Sequence, residues 1–252
     1  MYKKAFILPL LLFIIPFKHQ AQDIPRLYKD ALQFEAKFND KEALQKYLEI
    51  LRFQPNNPAA VCKSSELYAL LGRRQPTKEK QWDYYKLAKS YAEHALRISP
   101  NSAEANFVMA FALGRIAIIS SGEERMNAVK EIRTYAEKAV QLDPKQYKAY
   151  HVLGRWHYEV SDLNSVERWL LKMAYGSLPT SSLALAIRNY EKSKQLNPAF
   201  LLNYLELAKA YNRKGDEKKA IEFLNTMIKL PPSSSNDAAI KTEGMKLIEK
   251  WK

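Results

Sequence analysis

The stretch LLNYLELAKAYNRKGDEKKAIEFLNTMIKLPP, residues 201–232, decides the fold of this chain. Its small and apolar residues recur at intervals of three and four, which places them on one face of a helix. Gly215 and Asp216 interrupt this pattern halfway, as a turn does, and Pro232 ends it because proline cannot continue a helix. The stretch therefore predicts a pair of helices joined by a short turn.

The same pattern occurs five times along the chain. Five, eight and twelve residues before each terminating proline lie mostly small, aromatic or aliphatic side chains, and these offsets share one helical face. Ten residues after each of the first four prolines stands a Ser, Ala or Gly, which lets a partner helix approach closely. This is the pattern of tetratricopeptide repeats, so we predict an all-α, right-handed helical solenoid of about five helix-pair units. The terminating prolines are Pro55, Pro100, Pro144, Pro198 and Pro232.

The five predicted units differ in length, because the prolines stand 45, 44, 54 and 34 residues apart. We expect a polar connector at 73–81, a pair of lengthened helices around a serine cap at 120–125, and an insert at 160–182. The units are predicted within a single helical domain, 23–252, at about 24–57, 58–100, 101–144, 145–198 and 199–232.

A final helix over 236–252 is predicted to cap the solenoid, since stacked repeats need their open end covered. The residues expected to cover that end are Ala239, Ile240, Met245, Ile248 and Trp251.

Residues 1–22 have the three parts of an export signal. Lys3 and Lys4 precede a 13-residue apolar stretch, 5–17, and a polar segment follows it. At ~1.5 Å per residue the apolar stretch is shorter than the ~30 Å hydrocarbon layer of a membrane. We therefore expect a cleaved signal peptide and export to a periplasm or to the outside. The alternative is an uncleaved N-terminal membrane anchor.

The charge of the chain favours anionic partners. Its formal net charge of +13 would attract an acidic protein segment or an anionic lipid. No basic run interleaved with stacking aromatics occurs, so no nucleic-acid partner is expected. The single cysteine, Cys62, excludes an intramolecular disulfide and a cysteine-based zinc site.

No motif in the sequence predicts catalysis or a cofactor. There is no Gly-x-Ser-x-Gly elbow and no phosphate-binding glycine loop. His151 and His157 are six residues apart and cannot hold a metal as an i, i+4 pair would. His157 takes the position that a tyrosine fills in other units, which predicts that its ring is a packed side chain of the repeat. We expect a non-enzymatic binding protein without catalytic residues, cofactor or metal.

The first helix of each unit in such a solenoid turns some of its side chains into a concave groove. The predicted groove mixes aromatic rings with Arg and Lys, which suits an extended peptide with an acidic end or a lipid with an anionic head. For Phe107 and Phe111 the alternative is packing against the second helix of a unit. The candidate groove residues are Phe107, Phe111, Arg115, His151, Arg155, Tyr158, Leu205, Lys209, Asn212 and Arg213.

The insert carries an unexpected apolar run that includes Trp169 and Tyr175. Such a run in a loop either folds back onto the solenoid or is exposed for a partner. We expect it to fold back, towards Trp156 and Tyr158. A hydrophobic ligand held between the insert and units three to five is the alternative to a peptide partner.

Three segments together resemble the regulator of microtubule dynamics family of tetratricopeptide-like proteins. They are HVLGRWHYEVSDL at 151–163, AYGSLPTSSLALAIRNYEKSKQLNPAF at 174–200 and LPPSSSNDAAIKTEGMKLIEKW at 230–251. The resemblance covers roughly 80–252 and implies a non-enzymatic helical domain. For eukaryotic members it implies a link to microtubules and organelle membranes, including lipid handling. The export-like start, without a coiled coil or long linker, departs from the family pattern, and a bacterial exported member would keep only the scaffold.

Overall fold

The computed structural model describes residues 24–177 and 180–251, and over these residues the chain is α-helical without strands. The expected signal segment lies outside them, so export stays a prediction. In chain order the helices are α1 (Ile24–Ala36), α2 (Asp40–Phe53), α3 (Pro58–Arg73), α4 (Lys78–Ile98), α5 (Ala103–Ile119), α6 (Gly122–Leu142), α7 (Tyr147–Val160), α8 (Ser165–Tyr175), α9 (Leu183–Leu196), α10 (Leu201–Arg213), α11 (Glu217–Lys229) and α12 (Asp237–Lys250).

The helices pack as five consecutive pairs and one cap. The pairs are α1 with α2, α3 with α4, α5 with α6, α7 with α9, and α10 with α11. Each pair also packs against the next, and α12 lies against α10 and α11. The predicted all-α, tetratricopeptide-like solenoid with a capping helix is therefore confirmed.

The first helices form the inner layer of the solenoid. Helix α3 contacts α5, α5 contacts α7, and α7 contacts α10, whereas the second helices α4 and α6 do not contact each other over the described residues. Elements that approach one another on one side of a stack lie on the inside of its curve. The concave side is therefore made by α3, α5, α7 and α10.

Close helix approach depends on small residues, most clearly in the fourth unit. A Cβ atom on Gly154 of α7 would stand 2.6 Å from Cδ1 of Tyr190 on α9, closer than any real contact. The tyrosine ring fills the space that the missing side chain leaves and is fully buried. Gly154 therefore marks a close approach of α7 and α9.

One local prediction about a helix start is wrong, and another is right in position but not in its hydrogen bond. Thr77 caps α4 by accepting a hydrogen bond from the Lys80 amide at 3.3 Å, so the connector is only 74–77 and the rest of 73–81 is helical. A threonine cap satisfies one free amide of a first helical turn, which lets the helix begin earlier. Helix α6 starts directly after Ser121, and α5 and α6 are long, as predicted, but the Ser121 side chain makes no capping hydrogen bond.

The capping helix covers the end of the solenoid with fewer residues than expected. Ile240 and Ile248 are buried, but Ala239 is exposed and Met245 is 45% exposed, so these two were wrongly placed in the contact. Asp237 organises the start of α12 by accepting hydrogen bonds from the amides of Ser233 and Ser234, at 2.6 and 2.9 Å. Carboxylates are stabilised at helix N-termini in this way.

The insert is a helix rather than a loop, and it folds back. Asn164 and Glu167 form a reciprocal capping box at the start of α8. The helix packs on α6, with Leu171 fully buried and the Tyr175 hydroxyl donating to the Lys130 carbonyl at 3.0 Å. Trp169 does not take part and is 59% exposed. Residues 178–179 of the insert lie outside the described part of the chain.

Candidate binding site: a basic cavity on the concave side

A cavity of about 250 Å³ lies on the concave side, between α3, α5 and α7. The α1–α2 and α9–α10 turns and Ile240 of α12 complete its wall, together with the closing segment, residues 233–236, which joins the last helix pair to the cap. The Ser235 hydroxyl donates to Oδ2 of Asp40 at the start of α2, at 2.6 Å. Residues 195 positions apart therefore meet, and the cavity is enclosed on several sides.

Every carboxylate that lines the cavity has a cationic partner. Glu35 accepts from Nζ of Lys63 at 2.7 Å, Glu66 is paired with Lys148, and Asp40 is paired with the neighbouring Arg74. The Glu66 carboxyl is buried, which opposes ionisation, yet Lys148 and Lys63 keep its pKa below the usual value. The negative charge of the cavity wall is thus fully compensated within the protein.

Two arginines of the cavity wall, Arg73 and Arg115, have no carboxylate partner among the described residues. The guanidinium carbon of Arg115 lies 4.7 Å from the centre of the Phe111 ring, which stacks on Phe107 with centroids 5.7 Å apart. Nε of Arg115 is buried without a hydrogen-bond partner. Burial and the like charge of Arg73 lower the pKa of Arg115 to about 10, so it stays cationic at neutral pH.

His151 forms part of the wall and holds α7 to α10. Nδ1 of its ring lies 3.1 Å from Oδ1 of Asn203, whose amide nitrogen donates to the Tyr190 carbonyl at 2.8 Å. Burial lowers the pKa of His151 to about 4, although the Asn203 hydrogen bond opposes the change. The imidazole is therefore neutral at pH 7, and with Asn203 as acceptor its Nδ1 carries the proton.

Lowering the pH should destabilise the protein through two buried histidines. Burial and nearby Arg133 lower the pKa of His157, like that of His151, to about 4. The unfolded chain binds these protons near pH 6.5, so the stabilisation is complete above pH 6.5 and is lost as the pH falls towards 4. We expect a loss of roughly 2 kcal/mol per histidine by about pH 5, measured by urea unfolding.

A matched pair of variants isolates this effect. His151→Gln and His157→Gln should each remove about half of the pH-dependent loss, because each variant removes one of the two buried imidazoles. An equal pH slope in wild type and His151→Gln would show that other groups cause the loss.

Arg155 and Lys209, two of the candidate groove cations, are each paired with two carboxylates, one on the same helix and one on another. Arg155 contacts Glu206 at 2.7 Å and Glu159 at 2.8 Å. Lys209 contacts Glu206 at 3.1 Å and Glu243 of α12 at 2.7 Å. Their charges are therefore used to hold α7, α10 and α12 together.

The other candidates from the last two units are also structural. Arg213 donates to the Tyr158 carbonyl at 2.8 Å and lies 4.5 Å from the Tyr158 ring centre, which ties the end of α7 to α10. Leu205 is buried in the core and Asn212 is partly buried. Of the ten predicted groove residues, the cavity is lined by Phe107, Phe111, Arg115 and His151.

Arg73 was missed, although its position followed from the predicted register. Glu66 and Leu70 of α3 line the cavity, and Arg73 follows Leu70 by three residues on the same helical face. The predicted connector began at residue 73 and so excluded it from the helix. Lys63 and Lys148 had no sequence signal, because their role depends on acids from other units.

No group of three or more His, Cys, Asp or Glu side chains over residues 24–177 and 180–251 is arranged to hold a metal ion. In the same part of the chain no helix has the length and apolar character needed to cross a bilayer.

Comparison of the structure identifies the class of protein first. It superposes on the crystal structure of a thermophilic TPR protein of Thermus thermophilus with a TM-score of 0.64 at 12% sequence identity, over 88% of this chain and 99% of that one. The chain is thus a tetratricopeptide-type solenoid. The family model described as regulator of microtubule dynamics protein 1-3 matches residues 27–252, and the chain belongs to that family.

Two relatives illustrate how much of the sequence this chain shares with members of the family. Regulator of microtubule dynamics protein 1 of Caenorhabditis elegans is 28% identical over 162 residues, 64% of this chain and 72% of the relative. Regulator of microtubule dynamics protein 2 of Mus musculus is 27% identical over 177 residues, 70% of this chain and 43% of the relative. The chain thus spans less than half the length of the mouse protein. The family resemblance noted in the sequence is confirmed.

Proposed function

We propose that this protein is a non-enzymatic scaffold that binds an extended segment of a partner protein in the concave cavity. The proposal rests mainly on the observation that the concave side already holds a non-helical stretch of this chain. This stretch is the closing segment, residues 233–236, which lines the cavity. Ser233 and Ser235 hydrogen-bond to the Ala199 carbonyl and to Asp40, at 3.1 and 2.6 Å.

The size of the cavity limits what can enter it. About 250 Å³ is below the ~300–1,000 Å³ of pockets that take drug-sized ligands. A side chain or chain terminus of a partner fits beside the closing segment, whereas a two-chain lipid does not fit without moving that segment. Size therefore favours a protein partner over the hydrophobic-ligand alternative.

Site-specific photocrosslinking tests the proposal. A p-benzoylphenylalanine in place of Phe111, on the cavity wall, should crosslink in the source cells to one protein segment. The same group at Leu87, 42% exposed on the outer helix α4, is the control and should not capture that segment. Where the cell contains microtubules, tubulin is the first partner to look for, because the relatives are named for microtubule dynamics.

A synthetic peptide of the captured segment should then bind the purified protein. Crosslinks from position 111 to lipid alone, or the same products from both positions, would contradict a peptide-binding cavity.

A further inference from the structure

We propose that Arg73 and Arg115 form a carboxylate-binding subsite, so that the partner segment enters the cavity with an Asp, a Glu or its C-terminal carboxylate. This inference rests on the proposed function and specifies the chemistry of the ligand. It begins from the charge of the cavity wall. Glu35, Asp40 and Glu66 each form an ion pair, whereas neither arginine forms one among the described residues.

Uncompensated like charges in an enclosed space are costly. Arg73 and Arg115 repel each other, and burial deprives Arg115 of much of its hydration. Such charges in proteins are ordinarily paired. An anion that enters the cavity would remove the repulsion and replace the lost hydration, so binding energy is available at this position before any other contact is made.

The geometry of Arg115 suits a carboxylate. Its guanidinium carbon lies over the Phe111 ring, 4.7 Å from the ring centre, and this contact limits the rotation of the side chain. Nε is buried without a partner. Guanidinium groups bind carboxylates through two parallel N–H···O bonds, and a side chain already held in place loses less entropy on binding.

The surroundings of the two arginines favour a carboxylate on a short aliphatic stem. Phe107, Phe111 and Phe200 line the same cavity and offer apolar surface for methylene groups. The arginines belong to different units, Arg73 to the end of α3 and Arg115 to the end of α5. The subsite therefore exists only when units two and three are stacked, and a peptide that occupies it bridges them.

Titration with small probes tests the subsite without knowledge of the partner. Glutarate carries carboxylates on a three-methylene stem, and glutaramide is its neutral counterpart. At constant ionic strength, glutarate should raise the Tm of the purified full-length protein saturably, and glutaramide should not. Arg115→Gln and Arg73→Gln should each weaken glutarate binding roughly 10-fold or more, as expected for a charged hydrogen bond.

Two controls separate binding from folding. Arg168→Gln removes an exposed arginine from α8, outside the cavity, and should bind glutarate as the wild type does. Without ligand, Arg115→Gln should have a Tm equal to or above that of the wild type, because it removes a repulsion. A lowered Tm in that variant would show that Arg115 is structural and would overturn the subsite.

The remaining outcomes are equally decisive. Stabilisation by sodium chloride equal to that by glutarate would overturn the subsite. Inorganic phosphate that binds 10-fold more tightly than glutarate would replace the carboxylate with a phosphate-bearing ligand. If position 111 captures a peptide but glutarate does not bind, the subsite is wrong and the scaffold function stands. If glutarate binds but no protein is captured, the function is wrong instead.

Discussion

Replacing Tyr190 by alanine should lower the free energy of unfolding by about 3–5 kcal/mol, the range for removing a large buried aromatic side chain. The ring is fully buried between α9 and α7, where Gly154 leaves space for it, and its centre lies 5.5 Å from that of His151. The surrounding backbone cannot close the resulting cavity, because its helices are held by the neighbouring units. Urea unfolding at pH 7 measures the effect.

Tyr190→Phe is the matched control. The Tyr190 hydroxyl is buried without a hydrogen-bond partner, so its removal should leave stability unchanged or raise it. If the phenylalanine variant were as unstable as the alanine variant, the hydroxyl and not the ring would hold the two helices together.

Gly154→Ala provides a second check on the same contact. In the wild type, the added methyl group meets the Tyr190 ring and should cost about 1–3 kcal/mol. In the Tyr190→Ala background the same change should cost much less, because the clashing ring is gone. Equal costs in the two backgrounds would mean that the clash lies elsewhere.

Replacing Glu206 by alanine should lower the free energy of unfolding by about 3 kcal/mol. Burial opposes ionisation of this carboxyl, yet Arg155 and Lys209 keep its pKa below the usual value. Breaking a buried ion pair costs about 3–5 kcal/mol because a charge is left without its partner. The low end of this range applies because both cations retain an ion pair in the variant, Arg155 with Glu159 and Lys209 with Glu243.

Glu243→Ala is the control for that variant. Its carboxylate contacts the same lysine at 2.7 Å, but its side chain is 42% exposed. An exposed pair contributes at most about 1 kcal/mol. Thermal or urea unfolding should therefore separate the two variants clearly, and similar losses would show that burial of Glu206 is unimportant.

Much of the fold was predictable, because the signals that specify it are local. Small residues at helical spacing, with a proline ending each unit, specified five helix pairs and a cap. The errors occur where a capping side chain starts a helix in a segment whose amino-acid composition suggests a loop. The polar composition of residues 78–81 predicts a connector, although Thr77 caps a helix that begins at residue 78. The insert reads as a loop in the same way, although Asn164 caps a helix there.

The candidate site was predictable only in part. Helical register placed Phe107, Phe111, Arg115 and His151 on the concave side, and they do line the cavity. The same register also predicted Arg155 and Lys209 as groove residues. Register specifies the helical face of a residue but not the carboxylate with which it forms an ion pair. Whether an arginine binds a ligand or a neighbouring helix depends on residues from other units.

The sequence by itself determined the repeat, the family and the inner face of each first helix. These follow from contacts three and four residues apart, which every helix makes. Only the tertiary structure decided which cations are free. Arg155 meets Glu206 at a separation of 51 residues, and Ser235 meets Asp40 at 195. Such long-range contacts depend on how the five unequal units stack. The same stacking leaves Arg73 and Arg115 at the cavity wall without an ion pair among the described residues.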